Sequence, residues 1–162
     1  MTDLDLMHLA LAEAQSAQAA GEVPVGAIVV APDHKTILGR GNNQVLRTSD
    51  PTAHAEIVAL RQAALILGNY RVLTQEGGCT LVCTLEPCAM CAGAILHARI
   101  ARLVYGAPDP KAGACGSVLS VLNHPQLNHR VEVSSGLLAE ESSTLLTTFF
   151  RSRREARLIA GI

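Results

Sequence analysis

Aromatic side chains are scarce in this sequence: Tyr70, Tyr105, Phe149 and Phe150 are the full set, and tryptophan is missing. A core of packed rings is therefore excluded, and burial has to come from aliphatic residues and alanine. Few rings remain for stacking on bases, so nucleic-acid recognition would lean on cavity shape, amides and backbone contacts. Charge of one sign is also lacking. Thirteen Lys and Arg against 14 Asp and Glu leave a formal net charge of −1, which excludes a global field that draws polyanions or membrane surfaces. No apolar run approaches the ~18 residues of a membrane span. The stretch MTDLDLMHLALAEAQ starts acidic with no basic segment ahead of it, so it reads as an amphipathic helix rather than a signal peptide. Internal repeats, low-complexity tracts and linkers are absent, and 162 residues are expected to form one domain spanning 1–162.

What is present is globular: 49% hydrophobic and 17% charged residues. So apolar a small chain is expected to hide further surface against a partner subunit. Five cysteines, at 79, 83, 88, 91 and 115, are an odd number clustered in one third of the chain. That pattern suits a metal or thiol site in a reducing compartment, the cytoplasm, better than a disulfide frame.

Apolar residues at helical spacing predict a helix over 3–20, stopped by Gly21. The β-branched run 23–31 predicts a buried strand, and 35–41 returns as its hairpin partner. A polar loop leads to a helix over 53–68, closed by Gly68 and Asn69. Residues 79–84 read as a short buried strand, 88–98 as a helix opened by Pro87, and 101–107 as a strand. A Pro- and Gly-rich loop follows, then a short helix over 118–125, a strand over 129–136 and a terminal helix over 137–160 with a basic end. Strands alternating with helices after the hairpin predict an α/β sandwich with some parallel strands in a mixed sheet.

Cys88 and Cys91 lie three apart, on one face of their helix start, where the positive end of the helix dipole favours thiolate. Alone, a CxxC pair leaves a redox motif and a buried pair open. Upstream, PTAHAEIVAL places His54 and Glu56 at another helix start, after Pro51. Two helix N-termini meeting at one point would bring one nitrogen and two sulfurs to a zinc ion. Three protein ligands leave the fourth tetrahedral position open to water, the catalytic rather than the structural pattern. Glu56 lies two residues from His54, about 200° around an ideal helix. It is expected not to bind the ion but to lie beside the water and carry its proton. A closed site with Cys83 as fourth ligand is the structural rival, although strand alternation favours Cys83 as a packed core residue. A zinc-stabilised RNA-binding module would keep the Cys/His shell without needing Glu56, and a thiol oxidoreductase would pair Cys88 with Cys91 and hold no zinc. Cys79 and Cys115 read as apolar filler, and His97, His124 and His129 as hydrogen-bonded structural residues.

HAE followed by PCxxC is the signature of the zinc-dependent nucleobase and nucleoside deaminases. GEVPVGAIVV, DPTAHAEIVALRQAA, TLEPCAMCAGAILHARI, RLVYGAPDPKAGACGS, LNHRVEV and LLTTFFRSRR together resemble the bacterial tRNA-specific adenosine deaminases of the cytidine/deoxycytidylate deaminase superfamily. The resemblance covers nearly the whole chain, and the last two stretches favour the tRNA branch over deaminases of free bases such as cytosine or guanine. It implies a three-layer α/β/α cytidine-deaminase-like sandwich, a homodimer, and hydrolysis of adenosine to inosine at the wobble position of a tRNA anticodon stem-loop. It also implies one Zn2+ per subunit on His54, Cys88 and Cys91, with Glu56 as proton shuttle. Glu86 and Pro87 match the frame of the motif. Asn43 matches the asparagine that bonds the flipped base, and Asp109 and Lys111 match contacts to nucleotides around the target. Phe150, Arg151, Arg153 and Arg154 match the RNA-facing end of the last helix. Val82 stands where many relatives carry an aromatic residue, and Cys83 where an aliphatic one is usual.

Overall fold

The computed structural model describes residues 1–161. Thr2 opens the first helix, α1 (Asp3–Ala19), with a reciprocal cap: its hydroxyl accepts the Asp5 N–H at 3.2 Å, and the Asp5 carboxylate accepts the Thr2 N–H at 2.8 Å. Strand β1 (Gly26–Val30) is buried along its whole length because both of its faces are covered. Ala27 and Val29 point into one core and Ile28 and Val30 into the other, the period of two that a strand dictates.

β2 (Ile37–Asn42) returns antiparallel on β1. A single turn, α2 (Val45–Thr48), leads to α3 (Ala55–Leu67), which ends at Gly68 in the left-handed conformation. A small ladder of β3 (Leu73–Thr74) and β4 (Gly77–Gly78) stands apart from the main sheet. β5 (Thr80–Leu85) pairs antiparallel with the free side of β1. Then come α4 (Ala89–His97), β6 (Arg102–Ala107), β7 (Glu132–Ser135) and α5 (Ala139–Ala160). β6 and β7 run parallel to β5, so the five-stranded sheet has the order β2-β1-β5-β6-β7 and is mixed.

Helices cover both faces. Leu6, Met7 and Ala10 of α1, with Leu145 of α5, pack on Ile28, Val82 and Val104. Ala59 and Ala63 of α3, with Ala92 and Ile95 of α4, pack on Val29, Leu81, Cys83 and Leu103. The three-layer α/β/α sandwich is thus built from aliphatic side chains.

α3 sits unusually close to β2, and two glycines allow it. A Cβ at Gly41 would lie 2.1 Å from the Ala55 carbonyl oxygen, and one at Gly39 2.2 Å from that of Ala59. This contact sets where the start of α3 stands, with Glu56 in its first turn and His54 as its N-cap.

Three expectations are corrected. Residues 118–125 form no helix: the N–H groups of Val118 and Leu119 both donate to the Gly113 carbonyl, and that of Val121 to Ala114. The segment is a folded loop closed on residues 113–114, pinned by a bridge between Cys115 and Ser120. Pro87 precedes the helix cap instead of opening the first turn, which makes Cys88 the N-cap. His54 is likewise the N-cap of α3, with extended backbone at φ −68° and ψ 155°. The turn α2 and the ladder β3–β4 are too short to leave a periodic signal.

Candidate active site

Four chain segments meet at one rim of the sheet. They follow β2 (Asn43), β5 (Glu86, Cys88) and β6 (Asp109), and precede β1 (Val23, Val25). The starts of α3 and α4 point at the same place. There His54 Nδ1 lies 3.6 Å from Cys88 Sγ and 3.5 Å from Cys91 Sγ. Ligand atoms of these three residues all lie within 4.8 Å of one another. Zinc–nitrogen and zinc–sulfur bonds of ordinary length give a tetrahedral N···S edge of about 3.6 Å. Both nitrogen–sulfur spacings match that edge. Cys83 stays out of the group: it is buried on β5 and its thiol donates to the Leu85 carbonyl at 3.3 Å. All five cysteines are free thiols.

Electrostatics separate the two clustered thiols. Hydrogen bonds from Cys91 and then His54 hold the Cys88 thiol down at about 3. The same bond pushes Cys91 far above the ordinary thiol range, and burial adds to it. The contact with Cys88 raises His54. Burial raises Cys79 to about 11 and Cys115 to about 12, so neither is a ready thiolate.

Glu56 is 4% exposed and shares a cavity of about 220 Å3 with His54, Cys88, Asn43, Leu85 and Ala112. Because His54 lies outside the helix, the 200° separation of helical neighbours does not apply, and both side chains reach one space. Burial raises the Glu56 carboxyl above its usual range. The Asn43 side-chain oxygen is buried in the same region with no hydrogen-bond partner. An orphaned amide oxygen in a cavity is a vacant acceptor for a ligand N–H.

Glu86, in sequence only part of the motif's frame, has a structural task of its own. It is 2% exposed, and its carboxylate accepts the N–H groups of Asp109 at 3.1 Å, Cys115 at 3.0 Å and Ser117 at 3.1 Å, with the Ser117 hydroxyl as a further donor. Burial pushes its carboxyl up, but these bonds outweigh that and leave it below its ordinary value. Glu86 thereby fastens the 109–117 loop over the start of α4. Asp109 lines the cavity, while its own carboxylate accepts the N–H groups of Lys111 at 3.0 Å and Ala112 at 3.2 Å.

Two wider grooves adjoin the cavity. One, of about 660 Å3, is lined by Asp109, Lys111, Phe150 and Arg154. The other, of about 540 Å3, runs past Asn43 and His54 to Phe150, Arg153, Arg154 and Arg157. Phe149 is the core ring, and Phe150, 45% exposed, faces the grooves. The spacing 150, 153, 154, 157 is one helical stripe. It extends the expected set by one residue, Arg157, while Arg151 lies off it. Arg153 is engaged within the protein: its guanidinium donates to the Gly21 carbonyl and lies 4.9 Å from the centre of the Phe149 ring. His129 bonds the Ile100 carbonyl at 2.6 Å, the structural role expected of it.

Residues 1–107 match the family model of the cytidine and deoxycytidylate deaminase zinc-binding region. The tRNA-specific adenosine deaminase of Haemophilus influenzae is 53% identical over 157 residues, covering 97% of this chain and 88% of that protein. The Bacillus subtilis protein of the same name is 40% identical over 154 residues, covering 95% and 92%. Among solved structures, one from work on A-to-I editing by tRNA:A34 deaminases at the wobble position of transfer RNA superposes with a TM-score of 0.81 at 44% identity, over 88% of this chain and 99% of that one. A guanine deaminase from Nitrosomonas europaea superposes with a TM-score of 0.76 at 25% identity, over 90% and 83%.

Proposed function

This chain belongs to the family of zinc-binding cytidine and deoxycytidylate deaminases, and from that premise we propose that it deaminates adenosine to inosine at the wobble position of a tRNA anticodon. The observation that carries the reading is the meeting of two helix starts at one small cavity, with a buried carboxylate beside a nitrogen and two sulfurs. The identities of 53% and 40% with tRNA-specific adenosine deaminases exceed the 25% with the guanine deaminase, which supports the tRNA substrate over a free base. We assign residues 1–162 to one deaminase domain acting in the cytoplasm, where thiols stay reduced. Among the described residues no helix is long and apolar enough to cross a membrane.

Zinc is the cofactor, and His54, Cys88 and Cys91 would hold one ion per subunit. When bound, the ion supplies Lewis acidity that brings the pKa of a water from about 15.7 to about 7. In the net reaction a C6–O bond forms with water, the C6–N bond of adenine breaks, and ammonia leaves. Glu56 accepts one proton of the water and passes it to the ring nitrogen, which keeps it. Glu56 then carries the second proton, from the oxygen now on C6, to the departing amine, which leaves as ammonia. Its raised carboxyl suits both halves of that transfer. Asn43 takes a base N–H on its unpartnered oxygen. An unpaired loop base is cheap to extrude into so small a cavity.

Lys111, Arg154 and Arg157 line the grooves where phosphates of the stem-loop would run, and Phe150 offers a ring to a base. Asp109 keeps the loop at the cavity mouth in shape, and Arg153 holds α5 against Gly21. A second copy of the chain is the partner for the outward side of α3 and its end, where Leu65, Ile66 and Tyr70 are exposed.

Ammonia release measured on an anticodon stem-loop and on free guanine, cytosine and adenosine tests the substrate. Turnover of the stem-loop is expected, and turnover of a free base alone would overturn the assignment. Glu56→Ala should retain one zinc and bind the stem-loop while losing inosine formation by about 10²-fold or more. Undiminished turnover in that variant would remove Glu56 from the chemistry.

A further inference from the structure

Glu22 is 1% exposed and lies outside the metal cluster. A carboxylate that far from water needs partners. It finds them in α2, accepting the Leu46 N–H at 3.3 Å and the Arg47 N–H at 2.8 Å. α2 is four residues long, and its own N-cap, Gln44, makes no side-chain bond. A helix of one turn does not stand by itself. Glu22, more than twenty positions upstream in the chain, supplies the cap that the turn lacks.

Arg47 carries the arrangement back toward the cavity. Its Nη2 donates to the Asn43 carbonyl at 2.9 Å and to the Asn42 side-chain oxygen at 2.6 Å, and its Nε lies 3.9 Å from the Glu22 carboxylate. The Asn43 N–H donates to the Val25 carbonyl at 3.2 Å, and the next N–H, of Gln44, to the Ala53 carbonyl at 3.0 Å, one residue before His54. The main chain at Asn43 is therefore held on both sides. Only its side-chain oxygen is buried without a partner, beside the cavity that contains Glu56.

We propose that Glu22 and Arg47 are positioning residues whose task is to hold the Asn43 amide in the orientation that receives the base. The proposal rests on the deaminase reading above and deepens it. Neither residue lines the cavity that holds Glu56: Glu22 fixes the α2 turn, Arg47 fixes the Asn43 carbonyl, and Asn43 meets the base. Misplacing a reacting group by about 1 Å can cost on the order of 10²-fold in rate. Phosphate contacts, which dominate RNA affinity, are untouched by such a shift.

Glu22→Gln places an amide NH2 against one of the two N–H donors and removes the charge that faces Arg47 Nε. It should lower kcat on the anticodon stem-loop by about 10- to 100-fold, with zinc stoichiometry unchanged and stem-loop Kd moving by less than about threefold. Arg47→Ala, at an exposed position, should do the same and serves if Glu22→Gln folds poorly. The deciding measurement is the cycle with Asn43→Ala. In that background either substitution should cost less than about twofold further, because the group they aim is gone. An undiminished loss there would show a general structural role and overturn the proposal. The Asn43 side-chain amide resonance in the zinc-loaded protein gives a readout independent of turnover, and both variants should shift or broaden it. An unmoved signal also overturns the proposal, whereas a moved signal in a protein that does not deaminate the stem-loop leaves the positioning intact and defeats the tRNA reading.

Discussion

Cys88 and Cys91 divide one proton unequally, because a single hydrogen bond lowers the first thiol and raises the second. The thiol whose pKa is lowered is the one at the helix cap, so its removal should be felt first by the ion. Cys88→Ala is expected to hold less than about a tenth of a zinc per chain by elemental analysis, and to lose thermal stability with it, since an ion bound only by the folded state stabilises that state. Stoichiometric zinc in Cys88→Ala would reject it as a ligand. The clustered residues His54, Cys88 and Cys91 were legible in the sequence because metal chemistry demands particular donors, and Glu56 was legible from its place two residues after His54. Glu22 and Glu86 were not legible as supports. Each binds backbone N–H groups between 23 and 31 positions away, and such a bond leaves no side-chain pattern to read. Arg157 had a readable signal in its helical spacing from Phe150 and Arg154.

At the scale of elements, the contact of α3 with β2 governs the site. Gly41 faces the Ala55 carbonyl, one residue from both His54 and Glu56. A methyl group there meets rigid backbone rather than a side chain that can swing aside. Gly41→Ala should therefore destabilise the fold by about 1–3 kcal/mol, as overpacking does elsewhere. It should also lower zinc affinity by displacing the start of α3. Urea unfolding and a zinc competition titration check both, and a variant of wild-type stability would show that the helix can back away freely. The long helices and the strands β1, β2, β5 and β6 followed from periodicity and from runs of β-branched residues, which tertiary packing reinforces. The segment 118–125 did not. Its apolar residues Val118 and Leu119 have a helix-like pattern but are exposed, and the loop's N–H groups are spent on Gly113 and Ala114. The two helices begin later than expected, at Ala55 rather than 53 and at Ala89 rather than 88, for a related reason: a cap is defined by an extended backbone angle, which composition does not encode.

For the whole molecule, one chain leaves Leu65, Ile66 and Tyr70 in water, exposed by 83%, 62% and 70%. Sedimentation equilibrium should return twice the 17.0 kDa of the chain, and Ile66→Glu should shift the population toward a single chain. A single-chain mass for the wild type at high concentration would defeat the dimer. The layered architecture was readable from the alternation of strands and helices. Which strand neighbours which was not, because β5 inserts between β1 and β6 by contacts remote in sequence.

Every segment that builds the cavity leaves the sheet at the same rim, while the turn joining β1 to β2, residues 31–36, lies at the opposite pole. Its Asp33 carboxylate folds the turn locally by accepting the N–H groups of Lys35 at 2.8 Å and Thr36 at 2.9 Å. A dye, affinity handle or surface tether attached at Lys35 therefore hangs as far from the cavity mouth as the sheet permits, and leaves the cavity and its adjoining grooves open for measurement.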